Sequence, residues 1–267
     1  MSTIVPDSHP RKISLDRRYK LEAAAEKGLL AGTAMIAHGR GEAFDYLLGE
    51  QTIPIANDAT TQAAILLKSA VRPIISVNGN TTILAGDELV SCAALLSCPI
   101  EVNIYYRTDE RISGLIEHLE NCKKRVAASP PHNWTRSVEE WSSNVNRVII
   151  LGGFAEGRIP GLDGPRAKCD VNGILAADTI LVPLEDGDRC EALVNMGLKV
   201  IVVDLNPLSR SSLMSTIAIV DDVTRFSRNL EEKLLTFQRL KRIKWDNKKA
   251  LKIALDTINE HLQNSIE

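Results

Sequence analysis

Five clusters of polar side chains follow directly on short apolar, β-branched runs, and their types suit anions, sugar hydroxyls and hard cations. Residues 74–77 lead into Asn78-Gly79-Asn80, 100–105 into Tyr106-Arg107-Thr108, and 179–182 into Glu185-Asp186-Gly187-Asp188-Arg189. Residues 199–203 lead into Asp204-Leu205-Asn206, and 216–220 into Asp221-Asp222. In open parallel sheets a ligand sits outside the carboxyl ends of the strands, where loops and helix starts converge. One such cluster is also ordinary turn chemistry; five at the same edge point to a binding crevice.

Within that crevice the roles divide by chemistry. Asp204, at a strand end, suits ribose hydroxyls. Asp186 and Asp188 can hold Mg²⁺ through one or two carboxylates, the remaining positions going to water and phosphate; equally, Asp188 can cap a helix over 189–196, with Glu191 completing a capping box. Arg40, set between Gly39 and Gly41 just ahead of a helix at Glu42, can grip an anion bidentately while the glycines let the backbone approach. Arg17 and Arg18 fall in the first turn of a helix capped by Ser14, where a cation opposes the macrodipole. Asp16 can neutralise one of them, so the pair reads equally as structure or as function. His38 is the one histidine expected inside a site.

The familiar phosphate cradles are missing. There is no GxxxxGK[ST], and His38-Gly39-Arg40-Gly41 lacks the third glycine of a dinucleotide fingerprint. Nucleotide phosphates would then be held by arginines, helix-start amides and a metal.

The runs that deliver these clusters are mostly continuous in apolar residues, as strands buried on both faces of a parallel sheet must be. Residues 100–104 alternate Ile100, Val102 and Ile104 with Glu101 and Asn103, which predicts a strand with one wetter face, nearer an edge. Helical stretches at 86–96, 109–121 and 189–196 lie between the strands, giving βαβ units and an α/β fold: a Rossmann-like, mostly parallel sheet flanked by helices. Three segments are expected within one Rossmann-like unit: helical 1–70, an α/β core over 71–223, and C-terminal helices over 224–267. In the last, Leu251, Leu255, Ile258 and Leu262 form one helix face, to be buried against the sheet or a second subunit. Residues 123–146, with Ser129-Pro130-Pro131, Trp134 and Trp141, read as a loop with a short helix, either a surface flap, a lid or a dimer contact.

At 267 residues the chain can bury a large core without disulfides. Its five cysteines include no CxxC and no zinc-like spacing, so free buried thiols in a reducing cytoplasm are expected. A net charge of −2 and 4% aromatic residues give no reason to expect a nucleic-acid surface, and no apolar run approaches the ~20 residues of a membrane span.

Several blocks of sequence together resemble the archaeal 4-phosphopantoate:β-alanine ligases, the phosphopantothenate synthetases. They are Ser8-His9-Pro10-Arg11, the stretch His38-Gly39-Arg40-Gly41-Glu42-Ala43-Phe44-Asp45-Tyr46-Leu47, Ser76-Val77-Asn78-Gly79-Asn80 and Tyr106-Arg107-Thr108. They continue with Arg158-Ile159-Pro160-Gly161-Leu162, Val182-Pro183-Leu184-Glu185-Asp186-Gly187-Asp188-Arg189, and Val203-Asp204-Leu205-Asn206-Pro207-Leu208-Ser209-Arg210-Ser211. The resemblance implies a cytoplasmic homodimer that condenses 4-phosphopantoate with β-alanine, consuming ATP with Mg²⁺ and releasing AMP and diphosphate through an acyl-adenylate. It places ATP on Arg18, Arg40, Asp204, Leu205, Asn206, Arg210, Ser211, Asp222 and Val223. Asp222 stands where the family often has asparagine, and Cys190 where it has threonine.

With that reaction in view, Arg40, Lys168 and Asp188 are expected to carry the chemistry. The acyl substrate is expected on His38, Asn78, Asn80 and Arg107, and its phosphate on Arg107, Lys168 and the amides of 78–81. A pantoate kinase and a non-catalytic nucleotide sensor are the competing readings.

Overall fold

The structure, a computed structural model, describes residues 5–266. Three helices come first: α1 (Lys12–Glu26), α2 (Thr33–Leu47) and α3 (Pro54–Lys68). Then β1 (Pro73–Val77), α4 (Gly79–Leu96), β2 (Ile100–Val102), α5 (Asp109–Ala128), α6 (Val138–Asn146) and β3 (Ile150–Leu151) make successive crossovers. A small antiparallel pair, β4 (Gly157–Arg158) and β5 (Lys168–Cys169), precedes β6 (Thr179–Pro183), α7 (Gly187–Asn195), β7 (Lys199–Val203), α8 (Arg210–Met214) and β8 (Ile217–Ile219). Helices α9 (Val223–Leu235) and α10 (Asn247–Ile266) complete the order.

The six-stranded sheet runs β3-β2-β1-β6-β7-β8, and every pairing in it is parallel. Counted along the sheet this is the doubly wound order, in which the chain grows outward from β1 on one side and then returns to grow outward on the other. The reversal falls between β1 and β6. Continuous apolar runs are required because both faces are covered: Ile75, Val77, Leu181, Ile201 and Val203 pack with the layer of α3, α4 and α9, while Ile74, Ile180, Val182, Val200 and Val202 pack against Cys190, Leu193 and Ile174. The predicted fold class is the one observed. The C-terminal stripe buries Leu251 and Ile258 against this chain's own α3 and β8.

Several local expectations need correcting. Ser14 lies inside α1 and donates a hydrogen bond to Glu42 rather than capping, so Arg17 and Arg18 sit in the second turn, beyond the reach of the terminal dipole. Gly39 and Gly41 lie within α2, not ahead of it. Helix α7 begins at Gly187, so Asp188 is in its first turn and no capping box forms. Of residues 123–146, all but 129–137 is helical; Trp141 is fully buried and its indole N–H donates to the Val126 carbonyl at 2.7 Å. Because α5 runs back from the carboxyl edge of the sheet, this segment lies at the opposite end from the strand-end clusters, which rules out a lid.

Nor does β2 have a wet face. It is one strand in from the edge, and Glu101 and Asn103 are almost completely buried. Glu101 accepts the backbone N–H groups of Asp170 (3.0 Å) and Ile174 (2.8 Å), while the Asn103 amide donates to the carbonyls of Arg166 (3.2 Å) and Lys168 (2.9 Å). The alternating polar residues therefore clamp the β4–β5 hairpin onto the sheet edge; a Cβ at Gly173 would collide with the Glu101 carboxylate.

Burial pushes the Glu101 carboxyl up to about 7 despite its two N–H donors. An acid whose pKa is raised on folding contributes stability that is fully present below about 4.5 and lost as the pH rises through about 7, on the order of 3 kcal/mol for such a shift. Glu101→Gln should abolish that slope: the stability difference between the two proteins, measured by urea melts from pH 4.5 to 8, is expected to move steadily in the variant's favour. A difference that stays flat would contradict it.

Candidate functional site

A cleft of about 670 Å³ opens at the carboxyl edge of the sheet, a volume suited to small-molecule ligands. Its walls come from the loops after β1 (Asn78, Gly79, Asn80), β2 (Ile104, Tyr105, Tyr106), β6 (Leu184, Asp186), β7 (Leu205) and β8 (Asp222), and from α2 across the top. All five predicted strand-end clusters thus meet at one edge, centred on the reversal of strand order.

The two strands that flank the reversal are tied together. The Asn78 side chain caps α4 by accepting the Thr81 N–H at 3.0 Å, and its amide crosses to the Leu184 carbonyl at 2.8 Å. Leu184 adopts a left-handed backbone, φ 55°, which costs a non-glycine residue about 1 kcal/mol or more and occurs where surrounding structure enforces it. That turn aims Glu185 beneath the cleft, where it accepts hydrogen bonds from Arg166 on the hairpin and from Arg189 on α7. Arg189 also donates to Ser76 at 2.9 Å, and Arg166 reaches the exposed Asp186 at 2.8 Å.

On the α2 side, Arg17 lines the cleft and pairs with Asp222 at 2.7 Å. Asp222 caps α9 by accepting the N–H groups of Thr224 (2.9 Å) and Arg225 (3.3 Å). A carboxylate, which only accepts, suits this duty to two backbone donors and a guanidinium. Arg18 turns instead to Glu42, which it holds through two nitrogens, at 2.6 Å from Nη2 and 3.0 Å from Nε; Glu42 lines the cleft and Arg18 stands behind it. His38 lines the cleft with Nε2 buried and unpaired, and burial lowers its pKa, so its imidazole is neutral at pH 7.

Arg40 is exposed at the cleft wall and lowers the pKa of Asp204, although burial leaves that carboxyl raised on balance. Asp204 lies behind the wall and accepts the Asn206 N–H at 2.9 Å, a turn that presents Leu205 to the cleft, against Gly41. Arg210, at the start of α8, spans to Asp188 (2.5 Å) and Glu191 (3.0 Å). Gly187 is obligatory there, since a Cβ would lie 2.5 Å from that of Arg210. Ser211 is buried and donates to the Glu185 carbonyl at 2.7 Å. Asn80 lines the cleft with its amide oxygen buried and unpaired. Asp186 and Asp188 line it too; each has one oxygen on an arginine. Among the described residues no group of three or more His, Cys, Asp or Glu could cage a metal. Two exposed carboxylates do fit an ion that arrives with nucleotide phosphates and keeps water.

Two expected residues lie elsewhere. Arg107 does not line the cleft; it donates to the Gly152 carbonyl at 2.5 Å and so fastens the end of β3. Lys168 is exposed on the hairpin, outside the cleft wall. Conversely, Arg166 and Tyr105 belong to the cleft and were not singled out from sequence, while Arg17 and Arg189, named there only as one of a pair and as the end of a cluster, line it too. Arg166 follows a Gly-Pro turn and a two-residue strand, too short for any periodic signal, and Arg189 resembles an ordinary helix residue.

The family model for phosphopantothenate/pantothenate synthetase matches residues 55–261. The chain belongs to that family. It is 42% identical, over 98% of its own length and 95% of the relative's, to a protein of Thermococcus kodakarensis named 4-phosphopantoate--beta-alanine ligase. Relatives of the same name match at 42% identity in Methanospirillum hungatei, covering 85% of this chain and 83% of that one, and at 39% in Methanosarcina mazei, covering 98% and 96%. Among the described residues no helix is long and apolar enough to cross a membrane.

In this synthetase-family chain all five cysteines are free and buried. Burial pushes the thiols of Cys169 and Cys190 up to about 12, and Cys190 donates to the Ser211 carbonyl at 3.5 Å. A neutral thiol is a poor nucleophile. Cys169→Ser and Cys190→Ser should each keep turnover within about tenfold of wild type, far from the ~100-fold or greater loss of a removed catalytic group. Native protein at pH 7.5 should resist iodoacetamide at both positions, as read by peptide mass spectrometry.

Proposed function

We propose that this chain joins 4-phosphopantoate to β-alanine at the expense of ATP, forming 4′-phosphopantothenate, AMP and diphosphate in coenzyme A biosynthesis. What carries the reading is near-full-length similarity to relatives of that name in a chain whose cleft offers separate arginines for two anions. Adenosine lies over the ends of β7 and β8, with Asp204 and Asn206 towards the ribose, Leu205, Asp222 and Val223 around the base, and Ser211 beneath. The triphosphate extends along Arg40 and Arg210. Arg18 acts from behind Glu42 or, on exchanging that partner, at the phosphates. Mg²⁺ would be held by Asp186 and Asp188 and would neutralise phosphate charge.

A carboxylate oxygen of the acid attacks the α-phosphorus, the bond to diphosphate breaks, and an acyl-adenylate forms. The β-alanine amine, having lost its proton, then attacks the acyl carbon and AMP departs with the oxygen. Charge builds on phosphoryl oxygens in the first step, and Arg40 and Arg210, both exposed at the cleft, stabilise it once they engage the phosphates. Neutral His38, with Nε2 unpaired, can accept the amine proton. Asn80, whose amide oxygen lacks a donor, suits a substrate hydroxyl. No protein nucleophile is needed. The assembly we propose is a cytoplasmic homodimer, for which sedimentation equilibrium should return twice the chain mass of 29.3 kDa.

Incubation with ATP, 4-phosphopantoate and β-alanine should release AMP in step with 4′-phosphopantothenate, and none without β-alanine beyond a single turnover. ADP as the product would make the chain a kinase, and no turnover would make it a sensor. Arg40→Ala should cost about 2–5 kcal/mol in kcat/KM, the scale of unpairing a charged contact; turnover near wild type would remove Arg40 from the site.

A further inference from the structure

Helix α2 roofs the cleft and brings His38 and Arg40 to it, yet only two of its 15 residues are buried, Glu42 and Asp45, and both are carboxylates. Its apolar residues Ala34, Met35, Phe44 and Leu47 are half-buried at the margin of the core, and Ile36 and Tyr46 are exposed. The first fully buried apolar side chain, Leu48, comes after the helix has ended. Apolar contact has no direction, whereas a guanidinium fork on a carboxylate fixes both distance and angle. The lie of α2 over the strand ends is therefore set by what its two acids grip.

Glu42 reaches back to α1, where Ser14 and Arg18 hold it. Asp45 reaches across to α9: it accepts from Nη1 of Arg225 at 3.0 Å and from Nη2 at 2.5 Å. The Nε of the same arginine donates at 2.8 Å to Asp221, which follows β8 and is completely buried. Asp221 is itself fixed by the Thr52 hydroxyl at 2.6 Å and the Asp222 N–H at 2.8 Å. Arg17 closes the circuit, with Nη2 at 2.7 Å from Asp222 and Nη1 at 3.9 Å from Asp45. Two arginines and three carboxylates thus join α1, α2, α9 and the end of β8.

The two grips on α2 differ in completeness. The Arg18 side chain is 37% exposed, and its Nη1 is not bound to Glu42. The Arg225 side chain is 21% exposed and commits all three of its nitrogens. Arg225 does not line the cleft, so it meets the reaction only through Asp45. Resting on the function proposed above, we infer that Arg225 is a positioning residue for the reaction, which clamps α2 to the end of β8 and so holds Arg40 in place at the nucleotide phosphates.

The test uses the full-length protein with Arg225→Gln and Arg40→Ala, singly and together. Arg225→Gln keeps one donor for Asp45 but loses the charge and the fork. It should lower kcat/KM for ATP by about 30-fold or more, since a misplacement of about 1 Å by a remote change can cost on the order of 100-fold. Because Arg225 acts through α2, adding Arg40→Ala should then cost less than about threefold, against about 30-fold or more when it is made in wild type. Full additivity overturns the assignment, as does an unchanged kcat/KM in folded Arg225→Gln. A second arm needs no turnover. Amide hydrogen exchange across α2 should quicken by about tenfold or more in Arg225→Gln, while α5, which the ring does not touch, exchanges as before. If Arg225→Gln alone fails to fold, Arg225→Gln combined with Asp45→Asn, which strands no charge in that pair, replaces it in both arms. Unchanged exchange in α2 overturns the clamp whatever the reaction is. If wild type releases no AMP from the three substrates yet the exchange difference appears, the broader reaction is wrong and the clamp stands.

Discussion

The reversal of strand order between β1 and β6 is the constraint on which the rest of the site depends. At that point the crossovers leave in opposite directions, so no connection covers the strand ends and a crevice must open. Here it is held open by a few polar bonds: Asn78 caps α4 and reaches the Leu184 carbonyl, and Leu184 takes a strained left-handed turn. The strain is local and small beside the burial of both sheet faces. Its result is that a carboxylate, Glu185, points under the cleft and fixes two arginines there.

Charge in the cleft is paired almost throughout. Arg17 meets Asp222, Arg18 meets Glu42, Arg210 meets Asp188, and Arg166 meets Asp186. This divides the arginines by the burial of their partners. Where the partner is buried, as with Asp222 and Glu42, removing it strands a charge, so the pair is architectural. Where the partner is exposed, as with Asp186 and Asp188, water pays most of the cost of release, and an incoming phosphate can take its place.

Much of this was legible in the sequence. Continuous β-branched runs announce strands buried on both faces, and the polar residues that end them announce the crevice. Strand order was not, since a run such as 179–182 carries no mark of its neighbours. Glu101 and Asn103 misled because period-two polarity normally means solvent, whereas here each satisfies backbone groups of the β4–β5 hairpin. Lys168 and Arg107 carried charge in the right neighbourhood but face out of the cleft, a matter of one residue's register in a two-residue strand and one turn after β2. Glycines flanking Arg40 suggested a loop, yet Gly41 is a helix residue lying against Leu205.

The proposed reaction requires two anions held in one crevice with the reacting groups between them. A crystal structure with a non-hydrolysable ATP analogue and 4-phosphopantoate measures this directly. It should show the nucleotide phosphates on Arg40 and Arg210, the phosphate of the acid held apart from them in the same cleft, and the carboxylate about 3–3.5 Å from the α-phosphorus, as an in-line attack needs. Nucleotide or acid bound away from the β1–β6 reversal, or bound with these two groups too far apart to meet, would contradict it.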